Sequence, residues 1–153
     1  MNITTSLFEA ALKCPTKCFL RSLGETGKGN AYADWVRAQT ESYGGTGIKG
    51  LMAGAAHDEL IVRAPGSENL NTAEWRLAVD VMAHAENLES SLHAVERVNA
   101  RGQPTQIIPI RFIFTNKLTR NDKLLLAFDG LVLSEMLGRE TRGVAPSRRQ
   151  LRD

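Results

Sequence analysis

The stretch Leu92–Leu137, LHAVERVNARGQPTQIIPIRFIFTNKLTRNDKLLLAFDGLVLSEML, constrains this chain more than any other part of it. It reads as strand, loop, strand, helix. From Leu92 to Val98 the residues alternate, placing Leu92, Ala94, Glu96 and Val98 on one face and His93, Val95 and Arg97 on the other. Glu96 then sits among apolar neighbours, where a carboxylate costs on the order of several kcal/mol unless it is paired or binds metal. Gly102 and Pro104 mark a loop. Ile107 to Phe114 is apolar at almost every position, the pattern of a strand covered on both faces. Thr119 and Asp122 have the spacing of a capping box, and Leu124, Ala127, Phe128, Leu131 and Leu137 recur at helical steps to give one apolar face. Gly138 fits the C-terminal stop.

The sequence upstream predicts more helix. Ser6 with Glu9 has the layout of a second capping box, opening a helix that carries Leu7, Phe8, Ala11, Leu12, Phe19 and Leu20. Pro15 implies a kink or a break into two short helices, and Gly24 a stop. Lys13, Lys17 and Arg21 stand four apart, and form one basic stripe if the helix continues through Pro15. Such a stripe is either a solvated face or a surface for a nucleic-acid backbone. Cys14 and Cys18 share that spacing; two thiols cannot complete a tetrahedral metal site, so they read as free thiols or as half of a metal or cluster site. A second helix spans about Ala31 to Glu41, with Tyr32, Trp35 and Val36 as its apolar side, and ends at Gly44, Gly45 and Gly47. The small-residue segment Ile48–Leu60, containing His57, is expected to pack closely on a neighbour. Pro65 to Thr72 reads as a polar turn. Glu74 to Val98 reads as a hairpin turning near Asn87, with Leu77, Val79 and Val81 on one face and Asp80, Met82 and His84 on the other.

These elements fit one α/β domain: a helical part over about residues 1–60, a sheet-and-helix core over about 74–138, and a basic tail over 139–153. The tail holds Arg139, Arg142, Arg148, Arg149 and Arg152, a solvated end or a phosphate contact. No stretch is apolar for long enough to span a bilayer, and the N-terminus lacks a basic start and a long apolar core. Two cysteines without export signals read as reduced thiols, so a cytoplasmic protein is expected. The Gly24–Asn30 connection lacks the lysine and hydroxyl of a phosphate-binding loop.

An acidic strand, a buried strand and a long packed helix occur at the heart of metal-dependent nucleases and equally in plain α/β cores. Two motifs point to the first. LKCPTKCFL resembles the CPxxxYL-type helix of RecB-like nucleases, including the exonucleases of CRISPR adaptation, and KLLLAFDGLVLSEMLG resembles the "QLxxYA…G" helix of the same PD-(D/E)xK superfamily. The resemblance covers most of the chain through short motifs. It implies a restriction-endonuclease-like core, a small mixed sheet flanked by helices, acting on DNA as single strands or duplex ends. It also implies a divalent cation, magnesium or manganese, held by carboxylates to polarise phosphate and activate water, with a lysine supporting the transition-state charge. By the same likeness His57 matches an upstream ligand, Glu96 the strand-end Asp, and Lys123 the position of the helix Gln. The E-x-K triplet would fall in IIPIRFIF, which offers no carboxylate; Arg111 could replace the Lys only in charge, and Lys117 could reach in from the strand's end. Cys14 resembles the first cysteine of the iron–sulfur members, but no cysteine follows Cys18, so this chain alone cannot close a cluster. The expectation is a nucleic-acid-binding RecB-like protein with a doubtful phosphodiesterase site. The alternatives are an active metal-dependent exonuclease and a non-catalytic interaction module.

Overall fold

The structure, a computed structural model, describes residues 1–25, 27, 29–63, 70–71, 74–99, 101–102, 105–115 and 117–138. The basic tail, Pro104 and most of the turn expected at Pro65–Thr72 lie outside the described residues. The chain is mixed α/β. In order it forms β1 (Ile3–Thr4), α1 (Thr5–Lys13), α2 (Pro15–Ser22), α3 (Ala31–Ala53), a 3-10 turn (His57–Glu59), β2 (Leu60–Val62), β3 (Leu77–Ala85), β4 (Leu88–Val98), β5 (Gln106–Ile110) and α4 (Arg120–Leu137).

The sheet is built around β4. On one edge β3 pairs with it antiparallel from Leu77↔Glu96 to Ala85↔Leu88, and β2 lies outside β3, parallel to it. The other edge is shared. β1 pairs parallel with Leu88 and Glu89, and β5 pairs antiparallel with Ala94 to Val98. Pro109 lies in β5, which among the described residues pairs with β4 alone, the edge position where a strand tolerates proline. The strand expected to run to Phe114 stops at Ile110, since the side chain of Arg111 and the amide of Phe112 bond elsewhere.

The hairpin has a change of phase that alternation did not predict. Leu77, Val79 and Ala94 pack under α3, with Ile48, Leu51 and Met52. Val81, Ala83 and Leu92 join the other cluster, under α4, with Phe128, Val132, Leu133 and Leu137. Val81 therefore leaves the face of Leu77 and Val79, and Leu92 that of Ala94. The register is unchanged across the switch, Val79↔Ala94 then Val81↔Leu92, so no residue is inserted. Asp80 takes the left-handed conformation between them, φ 52°, which Asp tolerates better than most residues.

The helices depart from expectation in informative ways. Thr4, not Ser6, caps α1, its hydroxyl accepting from the Leu7 amide. Pro15 does end that helix: Cys14 is extended and α2 starts anew, so Lys13, Lys17 and Arg21 do not continue one stripe. The second helix does not stop at the glycines; α3 runs through them to Ala53, and its expected apolar side is exposed at Tyr32 and Trp35. In α4 the Thr119–Asp122 capping box and the left-handed Gly138 are present. Its buried face is Leu125, Phe128, Asp129, Gly130, Val132, Leu133 and Leu137, whereas Ala127 and Leu131 face solvent and Leu124 is half-buried. The face was displaced by one position because Asp129, a charge, lies on the buried side.

Candidate functional site

Asp129 is the most deeply buried charge among the described residues, 1% exposed in the middle of α4. It accepts two hydrogen bonds from one guanidinium, Arg111 Nε to Oδ2 at 2.7 Å and Nη2 to Oδ1 at 2.8 Å. The Ser90 hydroxyl donates to Oδ1, and Thr5 in turn donates to Ser90 at 3.4 Å. Arg111 Nη2 also reaches the Ser91 carbonyl at 3.1 Å, and the Ser91 amide donates to Thr5 Oγ1 at 3.0 Å. The location explains the network. Ser90 to His93 lie where the β4 edge is flanked by β1 before and β5 after. Side chains of Thr5 and Arg111 satisfy the backbone of Ser91, and Asp129 neutralises the charge this brings inside. The bidentate fork is the strong form of such a pair.

His93 lies one step further along that edge. Its Nδ1 accepts from the Phe112 amide at 2.8 Å, and its ring stacks on Phe112 with centroids 5.8 Å apart. Burial, and then the Arg111 charge, hold its pKa below the ordinary histidine value; the Asp129 and Asp80 carboxylates pull the other way.

The residues expected to carry chemistry are placed as follows. Glu96 is half-buried on β4, with Leu77 across from it on β3 and Ile108 on β5. His57 is exposed in the turn before β2, whose Leu60 is in register with Leu77; two strand spacings, ~10 Å, therefore separate Leu60 from Glu96. Lys117 is exposed in the β5–α4 connection and Lys123 is exposed in the first turns of α4. Arg111, which could replace the lysine only in charge, donates two hydrogen bonds to Asp129. Among the described residues, no group of three or more His, Cys, Asp or Glu side chains is arranged to hold a metal ion.

Lys13 pairs with Glu9 at 2.6 Å, and Arg21 folds back to donate to the Ser6 carbonyl at 3.2 Å. Lys17 is exposed. Lys13 and Glu9 also border a cleft of about 330 Å³ between α1 and the start of α4, with Thr119 and Asp122 on its other wall. Those polar groups already satisfy each other. Cys14 is exposed at the start of α2, and the Lys17 backbone N–H lowers its thiol pKa. No helix among the described residues is long and apolar enough to cross a membrane.

Asp129 and His93 were missed. The signal for the first was available: Asp129 in LLLAFDGLVL and Arg111 in IIPIRFIF are single opposite charges inside apolar runs, and buried charges come paired. His93 carried no such signal. Compared with known protein families, with curated proteins and with solved structures, the chain matches none.

Proposed function

We propose that the chain is a RecB-like, nuclease-fold protein that binds DNA and cleaves it slowly or not at all. The resemblance of LKCPTKCFL and KLLLAFDGLVLSEMLG supports the binding half, together with the order of hairpin, strand and capped helix. The observation that carries the second half is the surroundings of Glu96. Its cross-strand neighbours, Leu77 and Ile108, are aliphatic, and the one cation of the following strand segment, Arg111, is bound to Asp129. One carboxylate and one imidazole do not fit magnesium, which needs several oxygen donors in octahedral array. No hydrolytic step is therefore assigned to a metal at this site.

The test is binding and cleavage of labelled single- and double-stranded DNA, with and without manganese, by wild type and Glu96→Ala. Binding that weakens steeply between about 50 and 200 mM salt, with both proteins equally inactive, supports the reading. Robust cleavage lost in Glu96→Ala would select an active nuclease. A protein that neither binds nor cuts is an interaction module, the reading favoured by exposed Phe19, Leu23, Tyr32 and Trp35.

A further inference from the structure

The seat of α3 on the sheet is made of two rings. Gly44 lies over His93 and Gly47 over Phe112 so closely that a Cβ on Gly47 would fall 2.5 Å from the Phe112 ring. The two rings stack on each other, 22° from parallel, and the Phe112 N–H donates to His93 Nδ1. That bond fixes the tautomer. Nδ1 is the acceptor, so the proton of the neutral ring is on Nε2, the atom facing Gly44.

An imidazolium carries hydrogen on both nitrogens and accepts at neither. Protonation of His93 would set Nδ1–H against the Phe112 N–H. It would also place a charge beside Arg111, whose guanidinium cannot swing away while Asp129 holds it by two bonds. The groups facing the ring are Arg111 after β5, Asp129 on α4 and Asp80 on β3, and α3 contributes Gly44, which neither balances nor opposes the charge. The ring must turn or withdraw to keep its proton, and α3 rests on it.

We propose that His93 is a proton-operated latch: neutral, it holds the Gly44–Ala53 half of α3 on the sheet face that carries Leu77, Val79, Ala94 and Glu96; charged, it lets that half lift. This is independent of whether the protein binds DNA. The sign follows from the depressed pKa. Above the ordinary value of 6.5 the ring is neutral both folded and unfolded, and its contribution is complete. As pH falls below 6.5 the unfolded or opened ring takes the proton first, and the contribution is lost toward the lower, folded value.

The experiment combines ring-nitrogen NMR of His93 with amide hydrogen-exchange protection factors from pH 7.5 to 4.5. The exposed His57 and His84 serve as references in the same spectra. The expected result is the Nε2–H tautomer at pH 7.5, then a fall of tenfold or more in protection from Gly44 to Met52 as His93 charges, while β3 and β4 keep theirs. His93→Asn, whose Oδ1 replaces the acceptor without titrating, should remove the pH dependence. The proposal is overturned by an Nδ1–H tautomer at pH 7.5, by α3 protection that ignores His93 ionisation, or by α3 and the sheet losing protection together. Persistence of the effect in His93→Asn would overturn it as well. The wild-type measurements decide the question even if that variant does not fold.

Discussion

The helices α3 and α4 lie against the two faces of one sheet and are held there by different means. α4 has a reciprocal capping box at Thr119, a left-handed glycine at its end, and a face of Leu125, Phe128, Val132, Leu133 and Leu137 that fills the core. Phe8 of α1 stacks on Phe128 at 4.6 Å and closes that side. α3 starts from Asn30, whose side chain accepts from the Tyr32 and Ala33 amides, and its two fully buried residues are Gly44 and Gly47. Its first half carries Tyr32 and Trp35, more than half exposed and stacked on one another. One helix is positioned by the large side chains it buries; the other combines two buried glycines with the partly buried Ile48, Leu51 and Met52. Glycine costs a helix about 1 kcal/mol relative to alanine in isolation. At Gly47 that cost is offset by a close approach to Phe112 that only a residue without Cβ allows, whereas at Gly44 a Cβ would meet His93 at an ordinary contact distance of 3.4 Å.

Substitutions should separate the two regimes. The largest effect is expected on the α4 side: Asp129→Ala leaves the Arg111 charge buried and unpaired and should cost about 3–5 kcal/mol in chemical denaturation, whereas an unchanged midpoint would mean the guanidinium finds water. Gly47→Ala should cost about 1–3 kcal/mol by overpacking against Phe112, despite its better helix propensity. Thr119→Ala should cost about 1 kcal/mol through the lost cap. The smallest effect has the opposite sign. Gly45→Ala, beside the seat but with nothing within 4 Å of the new Cβ, should gain up to about 1 kcal/mol. Equal effects at positions 45 and 47 would show that α3 is not seated on the rings.

That contrast also explains what the sequence made legible. The existence of the hairpin, of the strand after it and of α4 with both its ends followed from local signals: alternation, an apolar run, Thr119 with Asp122, and Gly138. Local rules failed where a partner distant in sequence decided the outcome. Gly44 and Gly47 read as a stop because their reason lies in His93 and Phe112, far along the chain. The buried face of α4 is offset from the apolar repeat because it includes Asp129, whose partner Arg111 lies 18 positions earlier in another part of the chain. The hairpin changed phase at Asp80, whose backbone conformation no alternation pattern encodes. For the candidate site, alternation predicts Glu96 among apolar neighbours; it is half-buried, and which residues face it is set by the strand register.

The Thr5 hydroxyl, which accepts from the Ser91 amide across 86 positions of chain, has a consequence for the order of folding. Closing a loop of that length costs about 4 kcal/mol in chain entropy beyond a constant term, and Thr5 recovers little of it alone. The N-terminal strand is therefore expected to dock after the hairpin, whose own closure is nearly local. Thr5→Val should leave the refolding rate unchanged and speed unfolding, the kinetic mark of a contact made after the transition state. With that outcome, the beginning of the chain would be, in time, among the last of the described parts to arrive.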